Sequence, residues 1–147
     1  MSKVKDIMTR KVVTIEANKT VIEATIVMTE KNVSNLIVMH DSTPTGIVTE
    51  RDFVRKVLAK NKSTTTKISE IMSTPLRVID PDAPIKEAAR KMIRKGIRRL
   101  PVIDDNKLVG IITTTDIAKQ LSKKTLTDEI LQAIGRNYYP VPDAFEK

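Results

Sequence analysis

The feature that most constrains this chain is that it repeats itself. Shifted by 64 residues, Ile7-Met8 falls on Ile71-Met72, Glu23-Ala24 on Glu87-Ala88, and Gly46-Ile-Val-Thr-Glu-Arg-Asp52 on Gly110-Ile-Ile-Thr-Thr-Thr-Asp116. Between residues 7–58 and 71–122, fourteen of 52 aligned positions are identical without a gap, where average composition gives roughly three or four. Self-similarity at one fixed offset means a single structural unit used twice. A unit of about 60 residues buries little core alone, so the two copies are expected to share one pseudo-symmetric body.

The apolar pattern changes period in the same order within each copy. Val12 to Ile15 and Leu76 to Ile79 are short β-branched runs that predict strands. Helix starts follow: Thr20-Val-Ile-Glu23 has the spacing of a capping box, and Pro84, just after Asp82, suits a first helical turn. Val21, Ala24, Met28 and Ile85, Ala88, Met92 then make one apolar helix face in each copy. Leu36–Met39 and Leu100–Ile103, with Gly46–Thr49 and Leu108–Thr113, predict two hairpins with loose loops, and second helices follow from Asp52 to Leu58 and from Asp116 to Leu121. The fold class is therefore α/β (α+β), two β-α-β-β-α repeats over residues 1–62 and 63–125, packed sheet to sheet. Residues Ala59 to Lys67 read as the linker between them. A short tail, 126–147, carries an amphipathic turn or two from Thr127 to Ile134 and is a candidate to dock on the body or on a second subunit.

Composition removes most catalytic chemistry. The sequence has no cysteine and one histidine, His40, which excludes thiol catalysis and disulfides and nearly excludes histidine-based metal or proton chemistry. His40 reads as a turn residue, and Asp104-Asp105-Asn106 as turn chemistry rather than a cation site. Met28, Met72 and Met92 read as core filler. Nothing predicts export or a membrane span, so the chain reads as cytoplasmic. The net charge of +8 favours an anionic partner, and residues 62–125 hold the excess, with fourteen cations against seven carboxylates.

The chemistry sits where a strand runs into a helix through Gly-apolar-apolar-Thr-x-x-Asp. A helix N-terminus offers free N–H groups to a phosphate, the threonine adds a donor, and the aspartate can accept both hydroxyls of a ribose. Glycine is expected here to permit close approach of the ligand. Thr49-x-x-Asp52 and Thr113-x-x-Asp116 are equally the spacing of an ordinary helix cap. Arg98-Arg99, just before a strand, are placed for a phosphate clamp.

Taken together, the paired units, Ile-Met before the first strand, Arg-Leu-Pro-Val at 99–102 and Gly-Ile-Ile-Thr-x-x-Asp resemble a tandem of cystathionine β-synthase (CBS) domains, a Bateman module. The resemblance implies a non-enzymatic regulatory module needing no cofactor, with AMP, ADP, ATP or S-adenosylmethionine bound in two clefts between the repeats. Carried over, one cleft uses Asp116, Thr113, Thr115, Ile111, Arg99 and Arg98 against Thr9, Val13, Val33, Ser34 and Asn35. The second uses Asp52, Thr49, Arg51 and Ile47 against Ser73, Arg77, Ile97, Arg98 and Arg99. Ile37 replaces the proline matched by Pro101, and Ser34-Asn35 stand where the second copy has Arg98-Arg99. The Asp116 cleft is thus expected to bind a phosphorylated adenosine first. With no enzyme or channel domain in the sequence, output is expected through a protein effector, self-association or the tail. A homodimer is expected through Phe53, Val54, Val57 and Leu58. The competing reading is a basic scaffold for nucleic acid or an acidic partner, resting on Arg90, Lys91, Arg94 and Lys95.

Overall fold

The computed structural model describes residues 2–123, and the predicted tail over 126–147 lies outside them. In the first half, a short helix α1 (Val4–Ile7) precedes β1 (Thr14–Glu16), α2 (Val21–Lys31), β2 (Asn35–His40), β3 (Thr43–Thr49) and α3 (Glu50–Asp52). α3 runs on into a wider, π-type helical stretch, Phe53–Leu58. The second half opens on a 3-10 turn (Ile68–Glu70), then α4 (Ile85–Lys95), β4 (Arg99–Asp104), β5 (Lys107–Thr113) and α5 (Thr114–Lys123).

Local chemistry explains the elements. Thr20 accepts from the Glu23 N–H while the Glu23 carboxylate accepts from the Thr20 N–H at 3.1 Å, so the predicted capping box starts α2. Pro84 sits one position earlier than expected, as the residue before α4, in extended conformation. α2 and α4 end on left-handed Asn32 and Gly96, which is the usual way to close a helix C-terminus. The hairpin loops are tighter than predicted. Asp41-Ser42 and Asp105-Asn106 all have positive φ, the signature of two-residue turns that match the twist of the strands they join.

One predicted strand shrinks. β1 pairs in parallel with β2, with Ile15 opposite Val38, whereas the second copy keeps a single parallel bridge, Ile79 to Val102. Prolines account for the loss. In the first copy the Ala17 N–H bonds Met39 O at 2.8 Å and the Ile37 N–H bonds Val13 O at 3.1 Å. The matching residues are Pro81 and Pro101, which have no N–H to donate. The first sheet thus has the order β1-β2-β3 and the second only β4-β5.

The repeats exchange their opening segments. Ile68 and Ile71 are buried with Ile15, Val21, Met28, Leu36, Val48 and Val57 in the first repeat's core, while Val4 and Met8 are buried with Ile79, Met92, Leu100 and Ile112 in the second. Matching backbone bonds fasten each segment: Val4 N–H to Ala83 O at 2.8 Å and Lys5 N–H to Pro81 O at 3.0 Å, mirrored by Ile68 N–H to Lys19 O at 2.8 Å and Ser69 N–H to Ala17 O at 3.0 Å. Each core is completed by a piece of chain from the other half of the sequence.

Candidate functional site

Just beyond the exchanged segments, each repeat's motif strand is crossed by the other repeat. Ser73 and Ile47 exchange two backbone hydrogen bonds, of 2.9 and 3.2 Å, and Thr9 and Ile111 exchange another pair of 2.8 and 2.9 Å. The motif glycines serve these crossings. A Cβ on Gly46 would lie 2.8 Å from Ser73 O, and one on Gly110 would lie 2.9 Å from Thr9 O and 2.6 Å from Met8 Sδ. The expectation that these glycines open space for a ligand is corrected: what comes close is the partner repeat's backbone.

Both threonine–aspartate pairs form helix caps. The Thr49 N–H donates to Asp52 Oδ2 at 2.8 Å and the Asp52 N–H donates back to Thr49 Oγ1 at 3.3 Å. In the second copy the distances are 2.9 and 3.1 Å for Thr113 and Asp116. The cap occupies one carboxylate oxygen, and the copies differ in what holds the other. Asp52 Oδ1 is 3.1 Å from Lys56 Nζ, which also donates to Ile71 O at 2.9 Å. Asp116 Oδ1 accepts from Thr9 Oγ1 at 3.3 Å. Sequence reasoning passed over Lys56, although it lies four residues after Asp52, the spacing at which helical ion pairs form; its counterpart is Gln120.

A cavity of about 560 Å³ opens between the repeats beside Asp52. Ile47, Thr49, Arg51, Asp52, Ser73, Arg77, Ile97, Arg98 and Arg99 line it, so the residues assigned to the second cleft share one wall-to-wall space. Ser34, assigned to the other cleft, also lines it, as do Glu50, Thr74, Pro75, Leu76, Gly96 and Pro101, none of which the sequence had assigned to a cleft. Of the residues assigned to the Asp116 cleft, Thr9, Ile111, Thr113 and Asp116 are brought together as described above. Thr115 is exposed on α5, Val13 and Val33 pack against the first core, and Asn35 pairs with Thr49 across β2 and β3.

The backbones of Arg98 and Arg99 adjoin the second motif: Arg99 lies opposite Thr113 across β4 and β5, and Arg98 O accepts from the Thr114 N–H at 3.0 Å. Both residues also line the Asp52 cavity, as the assignment to the second cleft expected. Strand alternation gives the reason, because Leu100 and Val102 point into their own core, leaving Arg99 and Pro101 on the opposite face toward the first repeat. Arg99 is half-buried, its Nε has no hydrogen-bond partner, and burial, with Arg98 beside it, lowers its pKa. The predicted basic face on α4 is also thinner than expected. Arg90, Arg94 and Lys95 are exposed, but Lys91 Nζ donates to Val78 O.

The CBS-domain model matches residues 4–59 and 68–123. The chain belongs to the CBS-domain family. As a CBS pair it is 37% identical, over 140 residues, to the CBS domain-containing protein YhcV of Bacillus subtilis, covering 95% of this chain and 100% of that protein. Its fold matches that of a putative signal-transduction protein with CBS domains from Burkholderia ambifaria, with a TM-score of 0.79 and 32% identity over 86% of this chain and 98% of that one. It is also similar to the CBS domain pair of protein MJ0100, solved with 5-methylthioadenosine and S-adenosyl-L-methionine, with a TM-score of 0.75 and 32% identity over 84% of this chain and 99% of that one. The CBS pair spans 57%, 32% and 42% of three other curated relatives, and about a quarter, 24% and 23%, of two that are named as enzymes. No helix among the described residues is long and apolar enough to cross a membrane.

Proposed function

We propose that this CBS pair is a non-enzymatic cytoplasmic sensor that binds adenosine-containing ligands, AMP, ADP, ATP or S-adenosylmethionine, between its repeats. The observation that carries the reading is the Asp52 cavity, where one repeat's Thr49–Asp52 cap faces the other repeat's Ser73, Arg77 and Ile97 across a space of about 560 Å³. That volume lies within the range of small-molecule sites. The adenosyl ligands of the MJ0100 pair support the same ligand class. Asp52 and Asp116 are assigned to the ribose hydroxyls of two clefts. Titration calorimetry of the purified protein against the four ligands tests this: saturable binding, weakened by Asp52→Ala or Asp116→Ala, is expected, and its absence for all four ligands overturns the reading.

A homodimer belongs to the same proposal, with a narrower contact surface than the sequence suggested. Phe53 and Val57 are buried in the first core, while Val54 and Leu58 are 57% and 69% exposed, and Ile22 and Ile26 on α2 are exposed as well. The matching residues of the second repeat are Ala118, Ser122, Lys86 and Arg90, so pairing is assigned to first-repeat helices. Light scattering at micromolar concentration is expected to give the dimer mass, and Leu58→Glu the monomer. A monomeric wild-type protein overturns this part.

A further inference from the structure

One side of α4 is both basic and uncovered. Ile93 on that side is 80% exposed, more than any other large apolar side chain among the described residues. At helical spacing Lys86, Arg90 and Ile93 share the side, and Arg94 lies next to them. The three cations are exposed, and among the described residues none of them makes an ion pair or a side-chain hydrogen bond. They stand four residues apart, a spacing at which like charges destabilise a helix. The first repeat has no such surface: in place of Lys86, Arg90, Ile93 and Arg94, α2 has Ile22, Ile26, Thr29 and Glu30.

We infer that residues 127–134 of the same chain dock along this side of α4. The segment lies beyond the described residues, and its sequence and its point of departure specify the match. Thr127-Asp-Glu-Ile-Leu-Gln-Ala-Ile134 carries Ile130, Leu131 and Ile134 at helical spacing, has Asp128 and Glu129 at its start and contains no cation. Its apolar positions cover Ile93 while its carboxylates meet Lys86 and Arg90. The departure point favours the same helix. α5 begins beside the end of α4, where the Thr114 N–H donates to Arg98 O at 3.0 Å, and it packs against α4. Its 10 residues, about 15 Å at the rise of a helix, lead back along α4 toward Lys86. Residues 124–126 then reach about 10 Å, the spacing of packed helices, so the segment runs from Lys86 toward Ile93. The exposed apolar positions of α2 suit it less, because Glu30 stands there where α4 has Arg94. Docking neutralises the basic side of α4 and closes it to nucleic acid, which opposes the scaffold reading of the same residues.

The sequence has no cysteine, so paired substitutions in the full chain report the contact without background. Ile93→Cys is combined with Ile134→Cys or, one helical turn earlier, with Leu131→Cys, and Ile22→Cys with Ile134→Cys is the control. Oxidised glutathione is the oxidant, and closure is read as an intact mass lowered by two hydrogens at the mobility of a single chain. A disulfide requires Cα atoms within about 7 Å, so one of the Ile93 pairs is expected to close at least tenfold faster than the control. Lys86→Glu with Arg90→Glu should slow that pair about twofold to tenfold, and adding Asp128→Lys with Glu129→Lys should restore it. Ile22, Lys86, Arg90 and Ile93 are all exposed, so these changes leave both cores intact. The proposal is overturned if neither Ile93 pair outpaces the control, if the disulfides join two chains instead of closing one, or if charge reversal leaves the rate unchanged. No ligand takes part, so the outcome is independent of the adenosyl reading.

Discussion

Replacing Gly46 by alanine tests whether the motif glycines exist for the chain crossing or for a ligand. The added Cβ would sit 2.8 Å from Ser73 O and 2.9 Å from Met72 Sδ, against the 3.4 Å at which ordinary contact begins. The methionine side chain can turn away. The Ser73 carbonyl cannot, because it accepts from the Ile47 N–H, and the neighbouring Ser73 N–H donates to Ile47 O. Forcing the strands apart by about half an ångström brings an overpacking cost of about 1–3 kcal/mol and weakens two hydrogen bonds that contribute about 0.5–1.5 kcal/mol each. Alanine recovers about 0.4–1 kcal/mol by restricting the unfolded chain. The net loss is therefore about 1–3 kcal/mol, which lowers the unfolding temperature by roughly 2–4 °C per kcal/mol in a chain of this size. Differential scanning calorimetry of the ligand-free protein reads it directly, and Gly110→Ala should behave alike. A ligand-free unfolding temperature equal to wild type, combined with reduced nucleotide affinity, would refute the crossing argument and return the glycines to the ligand.

Three further outcomes follow from the same geometry. Lys56→Gln, which copies Gln120 of the second repeat, should tighten adenosine at the Asp52 cavity by about twofold to fivefold, because removing a partly exposed ion pair frees a carboxylate oxygen at a cost of about 0.5–1 kcal/mol; calorimetry showing weaker adenosine binding would contradict the competition. Ile68→Ala should destabilise by about 2–5 kcal/mol, since Ile68 is fully buried in the first repeat's core, and a fragment of residues 1–62, which lacks Ile68 and Ile71, should show no cooperative melting transition by circular dichroism. Acidification should loosen α1. Lys5 lies 2.9 Å from Asp82 and holds that carboxyl below its ordinary 3.8, so the contact contributes fully above that value and is lost as pH falls through the lower folded-state value; amide exchange in Val4–Ile7 should accelerate there in wild type and be insensitive to that step in Asp82→Asn.

The element order could be read from the sequence because its signals are local: the Thr20–Glu23 box, the two apolar helix faces and the short β-branched runs each act within a few residues, and the repeat shows the same order twice. The threonine–aspartate motifs were legible for the same reason, both as caps and as candidate ribose acceptors. Other features depend on contacts between distant residues. That Ile68 fills the first core and Val4 the second, that Gly46 and Gly110 make room for backbone, and that Lys56 occupies Asp52 follow from how the two copies cross. The loss of a strand in the second copy was visible in principle at Pro81 and Pro101, but only the pairing partners show which ladder bonds those prolines remove. The arginines are the sharpest case. Sequence assigned Arg98 and Arg99 to both clefts, because position along a chain does not fix which space a side chain lines once two sheets pack. Leu100 and Val102 entering their own core turned Arg99 toward Asp52. The sequence by itself determined the repeat, its elements and the motif chemistry; tertiary packing decided which repeat each side chain serves, because that depends on burial, which no single segment controls.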